Sequence, residues 1–286
     1  MSANVVVESR LAYRPTVSRR TVFFGFGLLG LVVLLAIVGP LIANYDPERA
    51  NPTQALLAPS GTHWFGTNSY GGDVFSRVVY AARLDLFIGF VSVGIAFAIA
   101  TPLGALVGYS HGWWVTLTMQ VMDFVQSFPV FIIAMALVAI RGPSTGNVIF
   151  VIALLNIPIF VRLVRAEVLA LRDRPFVDAG RCFGSSDFRL VSRYILPNSL
   201  SSSIAQASAN IGWALLLTAG LSFVGAGIRP PTPEWGTMIG EGAQNIITGD
   251  WWVSLFPGVA LGIAVLAFAL AGDAVRGMLD VKARSA

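Results

Sequence analysis

Residues 22–43 read VFFGFGLLGLVVLLAIVGPLIA, 22 consecutive positions without a charged side chain. A helix of about 20 apolar residues crosses the hydrocarbon core of a bilayer, and this run has that length. Outward from it, five more runs qualify: residues 84–109, 115–140, 148–164, 200–224 and 252–271. The second carries Asp85 at its mouth. The third is broken by Asp123, Gln126 and Pro129, and the fourth ends in Arg162 and Arg165. Barrel strands would alternate apolar and polar residues over about ten positions; these runs are longer and uniformly apolar. The expected fold class is an all-α polytopic membrane protein with six transmembrane helices.

The rest of the 286-residue chain agrees. Hydrophobic residues make up 55% and charged residues 12%, about half the charge of a soluble domain. That excludes a typical cytosolic enzyme and a disordered chain. Cys182 is the single cysteine, and His63 and His111 sit in different loops. No disulfide within the chain, cysteine cluster or helical zinc site follows, so no metal is expected. Lys282 is the single lysine, and a phosphate-binding Gly-Lys-Ser/Thr loop needs one elsewhere. No cofactor is expected in this chain. The net charge of +4 is read as arginine in inner loops, not as a nucleic-acid surface.

Arginine and lysine also orient the chain. With the N-terminus cytoplasmic, fourteen of them fall inside, and five, Arg49, Arg77, Arg83, Arg141 and Arg229, fall outside. Positive charge favours the cytoplasmic side. The expected layout is a cytoplasmic tail at 1–21, a first span at 22–43 and a long external loop at 44–83. A core of five spans follows at 84–276, with an inner loop at 165–198 and an outer loop at 225–251. A cytoplasmic tail closes the chain at 277–286. Ser18-Arg19-Arg20 before an apolar run looks like a twin-arginine export signal, but the run is too long for one. It is read as an uncleaved span.

Polar groups within spans are costly and are the candidates for function. Asp123 and Gln126 share a face of the third span, near its inner end, where the helix dipole favours a carboxylate. Asn156 lies in the fourth span, and Gln206 and Asn210 share a face of the fifth. These residues either line a polar path or bond across helices. Ala100, Gly104 and Gly108 repeat on one face of the second span, as do Gly258 and Gly262 in the sixth. Such stripes serve close helix packing or a sliding surface. Asp273 and Arg276 read as interfacial anchors.

The inner loop is rich in signals. Arg172-Asp173-Arg174-Pro175 turns the chain, and Pro175 suits the first turn of a short helix reaching Phe183. Gly184 stops that helix. Ser185-Ser186-Asp187 then caps a second helix over 188–195, and Leu196-Pro197 leads into the fifth span. Two short helices of this kind form a knob that docks in a cytoplasmic protein, or a pair lying on anionic lipid. The outer loops, with Pro230-Pro231-Thr232-Pro233 and the interfacial Trp235, Trp251 and Trp252, are longer than connectors need to be. They suggest a surface for an external partner.

Asp178-Ala179-Gly180, then Gly184, then Leu196-Pro197 resembles the EAA loop of ABC importer permeases. The family pattern is Glu-Ala-Ala, three residues, Gly, nine residues, Ile, one residue, Leu-Pro. The departures are Asp178, Gly180 and Tyr194. Gly66-Thr67-Asn68 through Gly72-Asp73 to Ser76-Arg77 resembles the GTD…GRD…SR segment of the dipeptide, oligopeptide and nickel branch, with Asn68 and Gly72 as departures. Leu221–Gly227 with Pro230–Pro233 and Trp235-Gly236 resembles its LSFLGLG…PPTPxWG, and Trp251-Trp252 to Asp273 its last span.

The resemblance implies a type I importer permease fold with a cytoplasmic coupling loop. The chain would be a subunit in a bacterial or archaeal cytoplasmic (inner) membrane. Its partners would be a second, homologous permease, two cytoplasmic ATPases holding ATP and Mg, an external binding protein and membrane lipid, with no nucleic acid. It implies no bond chemistry in this chain. Phe176, Asp178, Ala179, Gly180, Phe183, Gly184, Leu196 and Pro197 would couple to the ATPases. Asp73, Arg77, Pro230, Pro231 and Trp235 would face the binding protein. Asp123, Gln126, Asn156, Gln206 and Asn210 remain path candidates for peptides or similar small solutes. The contrasting reading is a self-sufficient, ion-driven carrier built on Asp123.

Overall fold

Pro40 shows how the first helix is built and held. Its ring leaves the carbonyl of Ala36 without the usual helical donor. Arg83, from a neighbouring helix, donates instead, from Nε to Ala36 O at 2.8 Å and from Nη2 to Ile37 O at 3.1 Å. The computed structural model describes residues 19–285; the expected N-terminal tail, with Arg10 and Arg14, lies outside the described residues. Among those described, the chain is helical apart from its loops and one bridging pair, Thr67 with Asp73.

Among the described residues, five helices are long and apolar enough to span a membrane. They are α1 (Arg19–Ile42), α2 (Val74–Tyr109), α5 (Thr145–Leu171), α8 (Leu196–Phe223) and α10 (Trp252–Ser285). A bent pair supplies a sixth crossing if taken as one span: α3 (Trp113–Gln126) and α4 (Val130–Arg141) meet at 90°. The break falls at Ser127-Phe128-Pro129, where proline removes a donor and disfavours helix in the residue before it. The short helices are α6 (Pro175–Cys182), α7 (Asp187–Arg189) and α9 (Trp235–Ala243).

α5 and α10 run past their expected inner ends, to Leu171 and Ser285, and two further differences from the sequence expectation have local physical reasons. α2 starts at Val74, not at residue 84, because Asp73 caps it by accepting from Ser76 N at 2.8 Å. Polar Ser76 and Arg77 hid this first stretch from a hydropathy reading. The outer loop 225–251 contains α9, started by Glu234, whose carboxylate accepts from the backbone N–H of Gly236 and Thr237 at 2.9 and 2.7 Å.

The core lies between α2, α5, α8 and α10. Gly104 and Gly108 let α2 press on α5. A Cβ at Gly104 would lie 2.8 Å from Val161 O, and one at Gly108 would lie 2.8 Å from Val168 Cβ. In α10, Gly258 and Gly262 meet nothing within 4 Å, so that stripe packs against no other part of the described chain. α1, α3 and α4 carry many bare apolar side chains, among them Phe23, Leu41 and Ile140, as a lipid-facing surface would.

Candidate functional site

Three clusters of polar residues stand out: one at each end of the helix bundle and one within it. The inner cluster is the loop between α5 and α8. Arg174 is extended and Pro175 opens α6. Gly184, at φ +72°, closes it in the left-handed conformation that glycine tolerates. Ser185 N then bonds to Gly180 O at 3.1 Å, a common helix ending.

The second loop helix differs from expectation. No side chain of Ser186 caps it, and the Asp187 carboxylate is turned to another task. α7 runs through a π-helical segment, Leu190–Ile195, straight into α8. In this wide turn Leu196 N reaches Val191 O, and Pro197 beyond it has no N–H to offer Arg193 O. The second limb of the loop is therefore the opening of α8, not a free-standing helix.

This loop rests on its own apolar cluster: Val177, Leu190 and Ile195 against Ala105 of α2 and Val164 and Val168 of α5. Gly180 lies over Leu190, where a Cβ would come within 2.6 Å of Leu190 Cδ2. The departure from the second alanine of the EAA pattern thus makes room for a leucine. Facing away from the bundle are Phe183, 90% exposed, Phe188, 81% exposed, and the partly exposed Phe176. Asp178 and Ala179 are exposed beside them, and Asp178 accepts from Arg181 Nη1 at 2.9 Å. Of the residues expected here, Phe176, Asp178, Ala179, Phe183 and Gly184 share this surface, whereas Gly180 packs inward. Leu196 and Pro197 lie away from it at the start of α8, Leu196 against the apolar cluster. Phe188 was missed; its signal was an aromatic residue inside a charged loop.

Within the bundle, the three amides bond to one another. Gln206 Nε2 donates to Asn210 Oδ1 at 2.8 Å, and Asn210 Nδ2 donates to Asn156 Oδ1 at 2.9 Å. Asn156 Nδ2 donates to Ile152 O at 2.8 Å, and Arg276 Nη2 reaches Gln206 Oε1 at 3.3 Å. This ladder ties α10, α8 and α5 together. Asn156 and Asn210 are buried, so they do not open onto a path in this structure. Asp123 lies apart from them, exposed and ion-paired with Arg162, and Gln126 is exposed nearby on α3.

The outer cluster corrects an expectation. Asp73, Arg77 and Trp235 are buried, so they do not face outward. Asp73 caps α2, and its Oδ1 lies 2.9 Å from His63 Nδ1, from which it accepts when that nitrogen carries the proton. Arg77 Nη1 donates to Pro47 O at 2.8 Å and to Pro231 O at 3.2 Å. Trp235 donates from Nε1 to Val78 O and from N to Asp85 Oδ2, both at 3.1 Å. These side chains bolt α9 and both outer loops onto α2. Pro230 and Pro231 are exposed.

The model of the family described as "Binding-protein-dependent transport system inner membrane component" matches residues 100–285. The chain belongs to this family. Residues 10–59 match a second model, the N-terminal TM domain of oligopeptide transport permease C. Among similar proteins, the dipeptide transport system permease protein DppC of Alkalihalophilus pseudofirmus is 40% identical over 96% of this permease and 90% of its own length. The probable D,D-dipeptide transport system permease protein DdpC of Escherichia coli K12 is 40% identical, over 90% and 86%. The glutathione transport system permease protein GsiD of Escherichia coli O1:K1 is 41% identical, over 88% and 83%.

A solved structure of the MetNI methionine ABC transporter, in inward facing conformations, covers 71% of this permease and 96% of its own chain. Its TM-score is 0.58 at 20% identity, a likeness of fold. The permease is a multi-pass inner membrane component of an ABC importer, and ATP hydrolysis resides in partner subunits. The self-sufficient carrier built on Asp123 is set aside by this membership.

Proposed function

We propose that this permease carries short peptides across the membrane, paired with a second, related permease, and driven by two ATPases that grip its inner loop. The observation that carries the coupling role is the pair Phe183 and Phe188. Two phenylalanines that exposed, on a loop rich in charge, fit a protein groove better than water. The cargo reading rests on the relatives, whose names give a dipeptide, a D,D-dipeptide and glutathione. The inner loop is cytoplasmic in this reading, as are both termini. The outer cover built on α9 meets the binding protein, with Pro230 and Pro231 on its surface. Asp123, Gln126 and Arg162, exposed on α3 and α5, border the path shared with the second permease.

The test is uptake of a dipeptide, oligopeptide and glutathione panel into vesicles holding the complete complex and its binding protein. Phe183→Arg is expected to strip the ATPases from the purified complex and abolish ATP-dependent uptake. Retention of ATPase and uptake in that variant would sink the coupling assignment. Uptake of none of the panel by the wild type would sink the peptide assignment.

A further inference from the structure

The hydroxyl of Tyr109 sits across the hinge of the inner loop. Tyr109 is the last residue of α2, about 70 positions before the loop that it touches. Its Oη donates to Asp187 Oδ1 at 2.6 Å and itself accepts from Arg181 Nη2 at 3.4 Å. The Arg181 guanidinium also lies 5.9 Å from the centre of the Tyr109 ring. Arg181 and Asp187 flank Gly184, three positions before it and three after it. Gly184 is where α6 ends, at φ +72°, with nothing within 4 Å of a Cβ built there. No side chain packs at Gly184 itself, and the backbone bonds there, Gly184 N to Arg181 O at 2.9 Å and Ser185 N to Gly180 O at 3.1 Å, reach back into α6 and not on to α7.

We propose that Tyr109 is a positioning residue that sets the angle between α6 and the α7–α8 limb, and so holds Phe183 and Phe188 in their docking arrangement. The inference rests on the coupling role assigned to this loop. Its physical content is separate: one phenol oxygen bridges a cation on one limb and a carboxylate on the other. Hydrogen bonds to charged groups are the strong ones. α2 packs closely on α5 through Gly104 and Gly108, and α5 enters the loop, whereas the loop leaves through α8. The Tyr109 bridge is thus a polar tie between the α2–α5 pair and the exit limb. Without it, the tips of the two limbs, which carry Phe183 and Phe188, gain freedom about Gly184, while the apolar cluster beneath still holds the limbs' bases through Val177 and Leu190.

The test uses the complete complex without nucleotide. Spin labels are placed on Cys182, the native cysteine, which is exposed, and on Arg193→Cys, and the distance between them is measured by pulsed electron resonance. The proposal expects one narrow peak with Tyr109 and loss of that peak in Tyr109→Phe, with the complex still assembled. Asp187→Ala should lose it too, whereas Asp187→Asn, which keeps an acceptor, should restore it. A narrow, unshifted peak in both Tyr109→Phe and Asp187→Ala would overturn the proposal, and so would failure of Asp187→Asn to behave as wild type. The Phe183→Arg result is read independently: it reports whether the loop docks, and the label distances report whether Tyr109 sets its angle.

Discussion

At Gly236 the backbone of α9 touches the backbone of α8. A Cβ there would lie 2.3 Å from Ala219 Cα and from Ala219 O, atoms that cannot swing aside as a side-chain tip does. Gly236→Ala is therefore expected to lower stability by about 1–3 kcal/mol, seen as a lower melting temperature of the purified complex. Gly146, inside α5, meets nothing within 4 Å. Gly146→Ala is expected to be neutral or stabilising by up to about 1 kcal/mol. Equal effects at the two positions would contradict the close approach. Glu241 gives a pH signature in the same region. Burial pushes its carboxyl above the ordinary value of 4.5, and Arg77 and a bond with Asn68 only partly offset this. The folded state thus binds the Glu241 proton more tightly than the unfolded chain does. Its contribution is full below 4.5 and is lost as pH rises through the raised value. The melting temperature of wild type minus that of Glu241→Gln should accordingly rise on acidification from neutral pH. A flat difference would argue against a buried Glu241.

Helices in lipid gain little from apolar contact alone and associate through close packing and hydrogen bonds. Both devices occur here, on different pairs. α2 and α5 meet through Gly104 and Gly108, and α8 meets α5 and α10 through the Gln206–Asn210–Asn156 ladder. Asn210→Leu removes the middle of the ladder and leaves Asn156 Oδ1 buried without its partner. A loss of about 0.6–1.7 kcal/mol is expected in detergent unfolding. No change would mean that the amides find equal partners in the unfolded, membrane-bound chain. The sequence placed Gln206 and Asn210 on one face of a helix. Their partner Asn156, 54 positions away, had no signal in spacing. Asp73, Arg77 and Trp235 were read as facing an external partner because they lie in outer segments longer than connectors need to be. The tertiary arrangement buries them, since α9 folds back over the start of α2: Trp235 N donates to Asp85, and Arg77 donates to the carbonyl oxygens of Pro47 and Pro231.

Across the whole molecule, the two glycine stripes part company. Gly108 is filled by Val168, whereas Gly262 is exposed and open. Gly108→Leu is expected to cost about 1–3 kcal/mol, whereas Gly262→Leu should leave the fold of this chain within about 0.5 kcal/mol of wild type. Melting of the two variants measures the contrast. If Gly262→Leu instead releases the second permease from the purified complex, the α10 face is where the two subunits meet. Retention of the complex would leave that face to lipid. α2 joins the scales: its 36 residues extend about 54 Å. Its outer end holds Trp235 and its inner end holds the loop through Tyr109.

The sequence alone determined the helical class and the family. Membrane spanning imposes a length and a composition on each segment separately, and the loop motif is local, within 20 residues. The first limb of the inner loop was legible for the same reason: Pro175 and Gly184 act on their own backbone. Only the tertiary structure decided which polar residues are free and which are spent on holding helices together. Asp123 and Asn156 read alike as polar groups in apolar runs, yet one is exposed and the other buried in a ladder. The difference lies in which neighbouring helix supplies a partner, and that depends on packing between segments far apart in the chain. The same holds for Tyr109, an ordinary aromatic at the end of a helix until folding brings Arg181 and Asp187 to its hydroxyl.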